Sequence, residues 1–202
     1  MIFIMIRIIV CFGVCIAAAL CIQKPGISQK RRRIALALAA GVVLTTLSAL
    51  FPVENAFITF SSAESSYHYT NVGKVNLTVS GEQTDLVVAQ KGNANSLLII
   101  PKSEDGWKIG IGVYTKSAFY TASNGATVRV YRYKNSSDYY VEVLDSAGDK
   151  AEVTDNRNSE FHSVERFNTA LDKNCYTYYA YVSNLDDTYT VLVDGAAITV
   201  TR

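Results

Sequence analysis

Two long apolar stretches open the chain, Ile2 to Ile22 and Ile34 to Val53, and the pattern after them changes to short alternations. A helix rises about 1.5 Å per residue, so about 20 apolar residues cross a hydrocarbon core of roughly 30 Å. The second stretch carries no charge, and Thr45, Thr46 and Ser48 are its only hydroxyls. The first is interrupted by Arg7, which lies close enough to the N-terminus for its guanidinium to snorkel to the headgroups. Both stretches are therefore expected to span a membrane as a hairpin occupying residues 1–53. Gly13 and Ala17, like Ala37 and Gly41, are four apart, which lets helix backbones approach and predicts packing between the two helices.

Residues 54–66 read as a short polar tether, and 67–202 as one domain with a period of two. Lys74 to Ser80 sets Val75, Leu77 and Val79 on one face against Asn76, Thr78 and Ser80. Trp107 to Val113 alternates in the same way, with Gly110 and Gly112 on the second face, where a close backbone approach or a bend is expected. Further strands are expected at 85–90, 96–100, 127–134, 138–145, 175–183, 188–194 and 197–201. Turn signals such as Glu104-Asp105-Gly106 and Asp194-Gly195 separate them. Such spacing predicts a mainly-β domain, an antiparallel β-sandwich or small barrel. One segment departs from it: Phe161, Val164, Phe167 and Leu171 follow a helical spacing, so a helix or crossing loop is expected near 159–173.

Charge sets direction. The loop at 23–33 reads QKPGISQKRRR, so Lys24, Lys30, Arg31, Arg32 and Arg33 face a single Arg7 beyond the first helix. The positive-inside rule then places this loop in the cytoplasm, with both termini and the C-terminal domain outside, and the five cations attract anionic lipid headgroups. The basic cluster follows the apolar run instead of preceding it, which disfavours a cleaved signal peptide. All 18 acidic residues lie beyond residue 53 with 13 of the 19 basic ones, a net charge of −5 that disfavours nucleic acid and bare anionic polymers as partners. That part holds one cysteine, Cys175, and hence no internal disulfide, which fits a bacterial envelope better than a eukaryotic secretory route.

All 13 tyrosines also lie there. Tyr131 and Tyr133 share one face of their strand, and Tyr179 and Tyr181 one face of theirs. The functional expectation is an aromatic platform for sugar or peptide; the alternative is cross-strand packing, since one strand face must be core. No metal or cofactor is expected: His68 and His162 are the only histidines, and the aspartates at 145, 149, 155, 186, 187 and 194 lack the every-second-residue pattern of a calcium loop and suit turn caps. A tethered β domain with Cys175, His162 and Arg166 resembles a sortase, the wall transpeptidase family, but Leu171-Asp-Lys-Asn-Cys175 departs from the Thr-Leu-x-Thr-Cys strand that carries that family's nucleophile. The sequence therefore predicts a membrane-anchored, non-catalytic binding module for a surface glycan, peptide or partner protein. The alternative is an accessory subunit of a larger membrane complex.

Overall fold

The computed structural model describes residues 2–21, 27–50, 52–92, 94–110, 120–121, 125–145, 150–168 and 173–200; in the two N-terminal helices side chains are described over 8–17 and 33–46. The chain forms two units, Met1–Ile58 with Tyr69–Asn71, and Thr59–His68 with Val72–Arg202.

The first unit is a helical pair, α1 (Ile2–Cys21) and α2 (Ile27–Leu50), followed by a short 3-10 turn at Val53–Ala56. The Phe12 ring lies against Gly41, where a Cβ would stand 3.1 Å from it, so the small residue is what brings α2 close to α1. The other small pair does not pack: Gly13 has open space around it. Apolar side chains on both helices face outward, with Ile9, Val14 and Leu36 each at least 60% exposed. The Thr45 and Thr46 hydroxyls donate to the carbonyls of Gly41 and Val42 at 2.8 and 2.9 Å, which satisfies them within the helix. Over the described residues no helix is long and apolar enough to cross a membrane. The basic cluster sits differently from the expected loop. Lys30, Arg31, Arg32 and Arg33 belong to the first turns of α2, because Gln29 to Arg33 are strong helix formers with no breaker after Gly26. Lys24 lies outside the described residues.

The second unit is mainly β over its described residues, and it includes 63–68 of a short helix, α3 (Ala63–Thr70). The Ser65 amide donates to Ser62 Oγ and the Ser62 amide to Ser65 Oγ, a reciprocal cap that starts the helix. Residues 63–66, expected in a tether, are thus its first turn. Ser66 and Tyr67 are buried there, and Ser66 Oγ donates to the Lys108 carbonyl.

Among the described residues, twelve strands form three antiparallel sheets. The first runs β1 (Lys74–Ser80), β2 (Thr84–Lys91), β3 (Ala94–Ser103) and β4 (Gly106–Trp107) in that order. The second contains β5 (Tyr120–Thr121), β6 (Thr127–Arg132), β7 (Asp138–Leu144), β9 (His162–Asn168) and β10 (Lys173–Ser183), in the order β5-β6-β7-β10-β9, and curls as a half-barrel. The third orders β12 (Ala196–Thr199), β11 (Thr190–Val193) and β8 (Val153–Asp155). Three cores separate the layers. Ala63 and Tyr67 of α3 pack on Val87, Ala89, Leu98 and Ile100. The opposite face of that sheet sets Leu86, Val88 and Ile99 against Tyr131, Tyr140 and Tyr179. The far face of the second sheet sets Val128, Val141 and Val143 against Val191, Val193 and Ile198. The second sheet is therefore covered on both sides, which is why β7 reads as a near-continuous apolar and aromatic run.

Two expectations are corrected. Residues 162–168 are strand β9, with Val164 opposite Thr177 and His162 opposite Tyr179, and no helix forms over the described part of 159–173. Val164 also fits an alternation with His162 and Arg166, and the long β10 supplies the hydrogen-bonding partner that decides between the two periods. Of the strand expected at 107–113, residues 111–113 lie outside the described residues, and the described part is short. It stops at Trp107 beside a bridge to Phe60, and 108–110 are irregular. Gly110 marks a close backbone approach, since a Cβ there would lie 2.2 Å from the Ile99 carbonyl oxygen.

Candidate functional site

A cleft of about 560 Å³ opens at one end of the first two sheets. Three segments distant in sequence build it: the β1–β2 turn with Glu82 and Gln83, the end of β3 with Lys102 and Ser103, and the β6–β7 turn with Tyr133, Lys134 and Asn135.

Asp138, fully buried at the start of β7, fixes the first wall. Its Oδ2 accepts from the amides of Gln83 and Thr84, both at 2.7 Å, and from the Thr84 hydroxyl at 2.9 Å. Its Oδ1 accepts from the Tyr181 hydroxyl at 3.1 Å. Tyr140 donates to the Thr84 carbonyl, so the turn is fastened to the second sheet through both its amides and its carbonyl. Gly81 is obligatory here, because a Cβ would stand 2.7 Å from both Asp138 Oδ2 and the Tyr140 hydroxyl. Burial, against hydrogen bonding from Thr84, pushes the Tyr140 hydroxyl far above its ordinary pKa, so it acts only as a neutral donor and acceptor.

Lys102 is committed inward. Its ammonium lies 2.8 Å from Asp85 Oδ1 and donates to the Gly81 carbonyl at 2.6 Å, while Trp107 Nε1 holds the other Asp85 oxygen at 2.5 Å. Lys134 stands over the Tyr133 ring, its ammonium 5.1 Å from the ring centre. Its backbone lies in the left-handed region with φ 48°.

The four tyrosines expected as a platform do share one face, but that face turns inward. Tyr131 and Tyr179 are buried, and their hydroxyls donate to the two oxygens of buried Glu142 at 2.5 and 3.0 Å. Arg129 completes this cluster at 3.5 Å. Burial first, and the Glu142 charge second, raise both tyrosines well above the ordinary phenol value. Tyr181 is half-buried and serves Asp138; Tyr133 alone of the four lines the cleft. Sequence reasoning missed Glu82, Gln83, Lys134, Asn135 and Asp138, which are ordinary polar residues around turns and carry no motif.

Other candidate chemistry does not assemble. Cys175 pairs with Arg166 and His162 with Tyr179 on the β9–β10 ladder, so the thiol and imidazole stand four rungs apart, about 13 Å along the strand. That is beyond the reach of a nucleophile–base pair. Among the described residues no group of three or more His, Cys, Asp or Glu could hold a metal ion. Asp155 caps a turn, its Oδ1 accepting from the amides of Arg157 and Ser159 and its Oδ2 from the Tyr189 hydroxyl. Burial raises its pKa, but these bonds, Ser159 foremost, outweigh it and hold the carboxyl below its usual value. Asp186 accepts from Thr188 and pairs with Arg157, and Asp194 accepts from the Glu152 amide. Asp149 lies outside the described residues.

No protein-family model, curated protein or solved structure matches this chain.

Proposed function

We propose that this protein is a non-catalytic binding module of a bacterial cell envelope, anchored by the α1–α2 pair and holding a surface ligand in the cleft between the β1–β2 and β6–β7 turns. The cleft carries the reading. Its size falls within the roughly 300–1,000 Å³ of small-ligand sites, and a fully buried carboxylate fixes its wall, a cost that a loosely ordered surface turn would not require.

The anchoring rests on the outward apolar side chains of α1 and α2, the internally satisfied Thr45 and Thr46, and the five cations between the apolar runs. In this reading the hairpin spans the bilayer, its basic end is cytoplasmic, and both termini and the β unit are extracytoplasmic. The second reading, an accessory subunit, draws on Gly13, whose open surroundings leave a small-residue face on α1 for another membrane helix.

The full-length protein in nanodiscs, offered separately to wall polymers and to detergent-extracted envelope proteins, tests both readings. Retention on a wall polymer that is lost in Tyr133→Ala supports the binding module. Capture of one integral membrane protein, unaffected by Tyr133→Ala and lost on Gly13→Leu, overturns it in favour of the accessory subunit.

A further inference from the structure

Resting on the cleft as a ligand site, we infer that its ligand is a carbohydrate carrying a carboxylate, with Lys134 as the residue that reads the acidic group. The lining suits a sugar ring. Tyr133 offers an aromatic ring to the apolar face of a pyranose, while the side-chain amides of Gln83 and Asn135 and the Glu82 carboxylate provide planar acceptors and donors for neighbouring hydroxyls.

A peptide fits less well. Extended peptides are commonly held by adding a strand to an open sheet edge, and the strand segment in this cleft is occupied on both sides. Pro101 pairs with Thr84, and its carbonyl accepts from the Lys108 amide. The Lys102 amide donates to the Gln83 carbonyl, and Lys102 and Ser103 pair with β4. The cleft therefore presents side chains rather than an open ladder.

Two observations single out Lys134. Of the two cations lining the cleft, Lys102 is neutralised by Asp85, whereas the Lys134 ammonium is held over the Tyr133 ring, where an arriving carboxylate can reach it. Its backbone is the second. Among the described residues, the other non-glycine positions with positive φ are Asn158, Asn184 and Asp194, side chains that tolerate that region. A lysine there is strained, and strain at the lip of a binding cleft is the kind that function retains. The unit as a whole is acidic, so the acidic group of the sugar is held locally: it belongs at the Lys134 end, away from Glu82, the one acidic side chain lining the cleft, and the hydroxyls belong at the Glu82 end.

The test is titration of the full-length protein in nanodiscs, by calorimetry and amide NMR, with three probes: a glucuronic-acid tetrasaccharide, the same tetrasaccharide with its carboxyls reduced to alcohols, and an acidic tetrapeptide. The acidic sugar is expected to bind about tenfold more tightly than the reduced one, with shifts at Gln83, Tyr133 and Asn135. Lys134→Gln should erase that tenfold difference, and Lys134→Arg should keep it. Equal binding of both sugars, or an unchanged preference in Lys134→Gln, overturns the role of Lys134. Cleft shifts with the peptide alone overturn the sugar class and leave the cleft standing. Silence of the cleft residues with all three probes overturns the binding-site reading itself.

Discussion

Asp138 and Glu142 stand on the same face of the same strand, four residues apart, and both are buried. Around Glu142 every neighbour closes in: two tyrosine hydroxyls and a guanidinium saturate the carboxylate, and the space between the sheets is filled. Around Asp138 the partners are two backbone amides and the Thr84 hydroxyl of a turn, with the Tyr181 hydroxyl on the other oxygen, and the turn they fix lines the cleft. One carboxylate satisfies a core and the other shapes a surface. Burial of charge is thus no guide to function until the partners are known: both acids accept from a phenol, but only Asp138 also holds the amides of a turn in place and so builds a wall.

Substitutions should separate the two. Glu142→Ala leaves the buried Tyr131 and Tyr179 hydroxyls without their carboxylate acceptor, so a loss of about 3 kcal/mol is expected in urea unfolding. The fraction that folds should retain the cleft amide signals of wild type. Asp138→Ala should cost about 2 to 3 kcal/mol and, in addition, shift the Gln83 and Thr84 amide resonances and abolish ligand retention. If Glu142→Ala disturbed the cleft as much as Asp138→Ala, the division between core and wall would be wrong. Gly81→Ala forces a methyl against Asp138 and Tyr140, with about 2 kcal/mol lost and the same local signature as Asp138→Ala.

A third carboxylate sharpens the contrast at the small end. The pKa of Asp155 is depressed in the folded state, so its stabilisation is complete above the unfolded value near 3.9 and is lost as pH falls through the lower folded value. Asp155→Asn should cost about 1 kcal/mol at neutral pH and flatten the acid limb of the stability curve below about pH 4, with no effect on the cleft. At the alkaline end, Tyr131, Tyr140, Tyr179 and Tyr189 have raised pKa values, so the stability they protect is present below pH about 10 and lost above it. Their absorbance near 295 nm should therefore rise only with unfolding.

Much of the β unit was legible from alternation. Lys74–Ser80 is a strand over the residues expected, and Tyr179 and Tyr181 lie two apart within β10, whereas β6 ends at Arg132, one residue before Tyr133. Which way those faces turn was not legible, because a two-residue period marks sides without saying that a second sheet lies across them. Residues 162–168 failed for a related reason: their valine and phenylalanine are three apart, which suits a helix better than a two-residue period, and it is the presence of β10 alongside that makes them a strand. α3 was missed because its cap uses Ser65 where a glutamate would have announced it. The cleft left no trace, since its walls meet across about 50 residues of chain and consist of residue types found in any turn.

The excursion of β8 out of the central sheet has a kinetic consequence. The chain leaves β7, sends Val153–Asp155 to another layer, and returns to make β9 and β10; β8 gains its partner only when Val191 meets Asp155. A molecule that has already zipped its central sheet still carries Val128, Val141 and Val143 bare until β11 and β12 arrive. Closing that lid is a long-range event and therefore a slow one, and the interval before it is when two half-made copies are most prone to cover each other instead.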